Sequence, residues 1–199
     1  MKTTQILIAG FGGQGILFAG KFLAYKGLVE DLQVSWLPSY GPEMRGGTAN
    51  CNVILSDTPV GSPIITAPDV LVAMNLPSLQ KYVDTVVPGG QIYLDSALID
   101  VKVERTDVEV FYIPATQMAK NNNIASLANM IIVGHMLEHH PELGFDGVEA
   151  VVNKLVPPKK AALIELNMKA LEWVESDMLP YYPIGTYKDR TAAKEASEK

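Results

Sequence analysis

One cysteine, Cys51, stands in 199 residues. A single thiol excludes an intramolecular disulfide and any all-cysteine zinc or iron–sulfur site built from this chain alone. It fits a reducing cytoplasm. Long apolar runs are also missing. Ile6-Leu7-Ile8-Ala9-Gly10 follows Lys2, but five residues are too few for the roughly 7–15 of a secretory signal core. The stretch from Ile124 to Leu137 is broken by Ser126, Asn129 and His135, so nothing approaches the ~18 residues of a membrane span. Basic charge is scarce: Lys+Arg is 16 against 22 Asp+Glu, a net charge of -6, which argues against a nucleic-acid binder. Charged residues make up 19% and hydrophobic residues 48%, the reverse of a disordered chain. There are no repeats and no low-complexity segment. No G-x-S-x-G surrounds Ser78, Ser96 or Ser126, so nucleophilic hydrolysis has no support. The expectation is a soluble cytoplasmic protein with neither nucleic acid nor membrane as partner.

The length is about one and a third times the usual ~150 residues of a domain. At this size roughly 70% of the unfolded chain's surface is buried on folding, so no metal is needed for stability. We expect one α/β domain over residues 1–180 and a partly disordered C-terminal tail over 181–199, polar and charged from Asp189 onward. Short apolar runs predict strands at 5–9, 33–37, 48–56, 69–74, 91–94 and 109–113. Helical spacing predicts helices at 16–28, 76–82, 124–140 and 159–178. The first should bury Ile16, Phe18, Ala19, Phe22, Leu23 and Leu28. The last begins after Pro157-Pro158, a fitting place for proline, and carries the stripe Leu163, Leu166, Ala170, Val174 and Met178. Trp173 reads as core. Strands alternating with helices imply a largely parallel sheet, followed by a helical C-terminal third.

Gly10-Phe11-Gly12-Gly13-Gln14-Gly15 satisfies G-x-G-x-x-G between a strand and a helix. Glycines there let the backbone take positive φ, Gly12 included, and approach a ligand closely. The helix start adds unpaired N–H groups and partial positive charge for a phosphate. An NAD site also wants an acid about 20 residues on, at the end of the second strand. That region reads Ser35-Trp36-Leu37-Pro38-Ser39-Tyr40, with no acid, and Asp31 lies before the strand. NAD is disfavoured while another phosphate-bearing ligand is not. A second loop, Tyr40-Gly41-Pro42-Glu43-Met44-Arg45-Gly46-Gly47, follows the second strand. The first two strands are expected to be parallel neighbours, and ligands of doubly wound sheets bind beyond the carboxyl ends of the strands, so the two loops should meet at one edge. Tyr40 could stack or hydrogen-bond and Arg45 could clamp a phosphate or carboxylate. The plainer alternative is a surface turn with Glu43 and Arg45 paired in water.

These two loops, followed in order by Met74-Asn75-Leu76-Pro77-Ser78-Leu79 and by Asn129 and Asn167 on late helices, resemble the gamma subunit of 2-oxoacid:ferredoxin (acceptor) oxidoreductases. The resemblance covers about residues 3 to 175; the tail after Met178 departs from it. It implies a Rossmann-like three-layer α/β/α fold packed against catalytic subunits. The complete enzyme of that family decarboxylates a 2-oxoacid with thiamine diphosphate, passes electrons through iron–sulfur clusters to ferredoxin and forms an acyl-CoA. Thiamine diphosphate and clusters are then expected on partner alpha and beta subunits, with a ferredoxin-like delta subunit as a further candidate. No catalytic residue is expected on this chain, and coenzyme A enters as a co-substrate. The residues the resemblance points to for coenzyme A or a partner are Gly10, Gly12, Gly13, Gln14, Gly15, Tyr40, Gly41, Glu43, Arg45, Gly46, Gly47 and Asn75. Of the 2-oxoacids that relatives handle, 2-oxoglutarate is the one expected. The alternative is a free-standing nucleotide- or coenzyme A-binding module without redox partners. The isolated chain is expected to close an apolar surface by homodimerisation.

His135-Met136-Leu137-Glu138-His139 matches H-x-x-E-H, whose histidines share a helix face as zinc ligands need. The motif ends a helix just before Pro141, where histidines also favour the negative dipole end. No metal is therefore expected. Cys51, inside an apolar strand, reads as a buried inert thiol.

Overall fold

The structure, a computed structural model, describes residues 3–39 and 48–172. The expectations for the loop 40–47, for the helix beyond 172 with Trp173, and for the tail 181–199 lie outside the described residues.

Six strands form one sheet: β1 (Thr3–Phe11), β2 (Gln33–Ser39), β3 (Thr48–Ser56), β4 (Val70–Ala73), β5 (Gln91–Asp95) and β6 (Glu109–Ile113). Their order is β2-β3-β1-β4-β5-β6. β1, β4, β5 and β6 pair in parallel, whereas β3 runs antiparallel to both β1 and β2. Five strands thus share one direction and β3 alone is reversed. The expectation that β1 and β2 are neighbours is corrected: β3 lies between them. Only residues 40–47 join β2 to β3, fewer than the dozen or so that a parallel crossover requires, so the second strand of the pair must return antiparallel.

Both faces of the sheet are covered, and the strands show why. Ile6, Ile8, Val70, Val72, Tyr93, Phe111 and Ile113 point into one core, packed under α1 (Ile16–Val29) and α4 (Ala128–His139). Their neighbours in sequence, Leu7, Leu71, Ala73, Ile92, Leu94 and Val110, point into a second core with Leu79 of α2 (Leu76–Tyr82) and the segment carrying Ile99, Val103 and Val108. A period of two with apolar residues on both sides is the pattern of a sheet enclosed in three layers. α1 also comes close to β3 through small residues. A Cβ on Gly20 would strike the Cys51 sulfur, and one on Gly27 would lie 2.5 Å from Leu55 Cδ2. Leu28, expected inside, is 55% exposed, and Lys26 takes the buried position, paired with Glu30 one turn on.

The first core is completed by α3 (Ala115–Asn121), α5 (Val148–Leu155) and α6 (Ala162–Glu172). The expected helix 124–140 divides into a 3-10 turn at Ala125–Leu127 and α4. The helix expected from 159 starts likewise with a 3-10 turn at Pro158–Lys160 before α6. No helix among the described residues is long and apolar enough to cross a membrane.

Candidate functional site at the carboxyl edge of the sheet

The glycine turn leaves β1 at Phe11 and enters α1 at Ile16. Positive φ falls on Gly13 (94°) and Gly15 (77°) and not on Gly12, so the turn does not require glycine at position 12 for its φ. Gly15 is the N-cap of α1 in a left-handed conformation and has no side chain to cap with. Helix-start N–H groups are thereby left to be satisfied from outside. Gly13 is exposed and a Cβ there would meet nothing within 4 Å, so the backbone is open to approach. Gly10 faces inward: a Cβ would sit 2.7 Å from both Gln14 Oε1 and Ile16 Cδ1.

Gln14 is the strut of this turn. Its Oε1 accepts from the Phe11 N–H at 2.6 Å, and its Nε2 donates to the Met74 carbonyl at 2.8 Å. The second bond ties the turn to the end of β4, where the Met74 N–H also donates to the Ala9 carbonyl. Asn75, next in sequence, caps α2 by accepting from the Ser78 N–H at 2.8 Å. Asn75 is buried, and its Nδ2 has no partner among the described residues. The structure thus places Gly10, Gln14, Gly15 and Asn75 side by side.

Asn129 is a further member, noted in the sequence only as part of the resemblance. From the first turn of α4 its Nδ2 donates to the Gly15 carbonyl at 3.0 Å, and its Oδ1 has no partner among the described residues. Two buried amides therefore border the glycine turn with a donor and an acceptor to offer. An asparagine within the otherwise apolar run from Ala128 to Gly134 was the available signal. Tyr40, Gly41, Glu43, Arg45, Gly46 and Gly47 lie outside the described residues. The strand ends that flank them are on this same edge: Phe11 pairs with Thr48, and Asn50 stands between Ala9 and Ser39. A cavity of about 330 Å³ lies at the opposite edge, lined by Thr4, Asp69, Gly90, Gln91 and His140, and has no part in this site.

Cys51 is fully buried beside α1, its sulfur 3.6 Å from the Ile16 carbonyl. Burial pushes its thiol up to about 12 against weaker opposing hydrogen bonds from Trp36 and Gly20. Such a thiol is protonated at neutral pH and is neither a nucleophile nor a cluster ligand. With one cysteine in the chain, a four-thiolate cluster does not fit.

The profile of the pyruvate ferredoxin/flavodoxin oxidoreductase family matches residues 5–173. The chain belongs to this family. It is 39% identical over 174 residues to the ketoisovalerate oxidoreductase subunit VorA of Methanothermobacter thermautotrophicus, covering 84% of this chain and 35% of that protein. The chain spans about a third of the length of the curated relatives it matches first. It is 34% identical over 161 residues to the 2-oxoglutarate synthase subunit KorC of Methanothermobacter marburgensis, covering 77% of this chain and 87% of that one. The gamma subunit of a keto/oxoacid ferredoxin oxidoreductase from Geobacter sulfurreducens PCA has the same fold, with a TM-score of 0.74 and 30% identity over 86% of this chain and 94% of that one. The resemblance read from the two loops and the Asn75 segment is borne out, and so is the α/β architecture it implied.

Proposed function

We propose that the chain serves as the gamma subunit of a 2-oxoacid:ferredoxin oxidoreductase, in which it supports assembly and shapes the coenzyme A site. The observation that carries this reading is the family match over residues 5–173, which contains both loops and Asn75. The geometry agrees with it. A glycine turn open at Gly13 and a left-handed Gly15 at the head of α1 offer backbone N–H groups and partial positive charge, which suit the phosphates of coenzyme A. Asn75 and Asn129 stand beside it with unmatched amide atoms. Gly12, Gly13, Tyr40, Gly41, Glu43, Arg45, Gly46 and Gly47 complete the proposed contact surface, with the Arg45 guanidinium toward a phosphate or a partner carboxylate. Thiamine diphosphate and iron–sulfur clusters belong on alpha and beta subunits, and on a delta subunit where one is present. Removed from them, the chain pairs with itself in the cytoplasm.

The substrate we assign is 2-oxoglutarate, as for the KorC relatives. The 39% identity to a ketoisovalerate oxidoreductase subunit favours a branched-chain 2-oxoacid as the second reading. Rates of the purified complex on the two acids decide between them. For the site, Arg45→Ala should leave the melting curve of the free chain unchanged. In the assembled enzyme it should raise the apparent KM for coenzyme A or weaken assembly. An Arg45→Ala enzyme with unaltered coenzyme A dependence and composition makes the second loop a structural turn. A tagged chain that always purifies alone from its native host points to a free-standing binding module.

A further inference from the structure

The far end of α4 carries a second constellation, remote from the glycine turn. α4 holds Asn129 beside Gly15 in its first turn and ends at His139, next to the start of β5, where His140 Nε2 meets Gln91 Oε1 at 2.9 Å. One donor atom from each of His135, Glu138 and His139 lies within 4.8 Å of the others. The spacing i, i+3, i+4 places all three on one helix face. Two imidazoles and a carboxylate are a ligand set for zinc and related late first-row divalent ions, with remaining positions left to water.

The surroundings orient these groups as metal sites do. His139 Nδ1 lies 2.9 Å from the His135 carbonyl oxygen, which can only accept, so this nitrogen carries the hydrogen in the neutral ring. A backbone carbonyl holding one ring nitrogen is the usual support behind a ligating histidine, and it fixes both tautomer and ring orientation. Phe111 packs against His139 at 4.4 Å between ring centroids and edge-on to His135 at 5.5 Å. These contacts leave the two imidazoles 4.7 Å apart on the helix. Glu138 is exposed and His139 half-buried, so an ion reaches the cluster from solvent. His140 is not a member: its ring nitrogens face Glu142 and Gln91.

We propose that His135, Glu138 and His139 bind one late first-row divalent cation, zinc foremost, at the end of α4. This revises the sequence expectation that no metal binds, which rested on the helix-end role of the histidines alone. The proposal concerns binding and assigns no hydrolysis. It is independent of the role given to the glycine turn.

The test uses the full, tag-free chain, whose three histidines are all in this region, after removal of metal with a chelator. Co²⁺ is titrated while its visible d–d absorption is followed, and Zn²⁺ is then added to displace it. The expected result is saturable binding of one ion per chain, weakened about tenfold or more by His139→Gln and by Glu138→Gln. Glu138 is exposed, so Glu138→Gln should melt like the parent chain and decides the matter if His139→Gln fails to fold. No saturable binding below about 1 mM, or affinity of the Glu138→Gln chain within about twofold of the parent, overturns the proposal.

Discussion

Gly13 and Gly15 stand two residues apart in one turn, yet a methyl group added to each meets different surroundings. At Gly15 a Cβ would lie 2.5 Å from Asn129 Nδ2, on a backbone with φ of 77°. Gly15→Ala therefore combines left-handed strain of ~1–2 kcal/mol with loss of the Asn129 bond, ~1 kcal/mol more. We expect destabilisation of roughly 2–3 kcal/mol in urea unfolding. Gly13 has open space around it, so Gly13→Ala should cost only the backbone strain, about 1–2 kcal/mol. Equal losses for the two variants would count against the Gly15–Asn129 contact. Asp95, fully buried at the end of β5, gives a pH prediction. Burial raises its pKa above 3.8 and outweighs the hydrogen bonds from Thr116 and Ala97 and the attraction of Lys120. Above pH 3.8 the unfolded chain releases this proton first, so Asp95 favours the fold fully below that pH. Its contribution is lost as pH rises through the higher folded value. Urea melts between pH 4 and 7 should show the parent chain losing stability relative to Asp95→Asn as pH increases. A constant difference across that range would contradict the assignment.

At the scale of the elements, the packing of α4 on α6 turns on Gly134. A Cβ at this position would run into the carbonyl oxygen of Leu171. In a free helix Gly→Ala gains ~1 kcal/mol. Here the obstacle is backbone, which moves only with the whole of α6, and overpacking of this kind costs ~1–3 kcal/mol. The steric cost wins, and Gly134→Ala should lower stability by up to ~2 kcal/mol and expose α6 to limited proteolysis before the sheet. A stabilised variant would mean that the two helices are not held at this distance. Most elements were legible in the sequence because their signals are local. Val70–Ala73 is a short apolar run between polar ends, and Leu76–Tyr82 has Asn75 as cap and Pro77 in its first turn. α3 was missed because ATQMAKN is short and buries only Ala115, Met118 and Ala119. α5 was missed because Val148, Val151 and Val152 are β-branched and weak helix formers, set on a helix by packing. The reversal of β3 is not local, although the brevity of 40–47 was its readable trace. Gln14 was legible as part of a motif, but its role as a strut depends on Met74, sixty positions away.

At the scale of the whole molecule, the candidate site occupies one edge of the sheet. The glycine turn, Asn75 and Asn129 gather at the carboxyl ends of β1 and β4. Several large apolar side chains stay on the outside, among them Leu28, Val29, Trp36, Leu37, Ile64 and Phe145, each at least 37% exposed. Trp36 and Leu37 lie on β2, the strand at one border of the sheet, where unpaired backbone groups already invite a neighbour. On the proposed reading, these surfaces meet partner subunits on which the chemistry is performed. The isolated protein should therefore be inert: with a 2-oxoacid, coenzyme A and an artificial electron acceptor it should give no dye reduction above the buffer rate. Addition of purified alpha and beta subunits should establish the reaction, and omission of this chain from that mixture should abolish it or raise its coenzyme A requirement. Coenzyme A-dependent oxidation by this chain alone would place a redox centre within it, against the single buried thiol of Cys51. A mixture equally active without the chain would leave the glycine edge with a function of its own, outside the oxidoreductase.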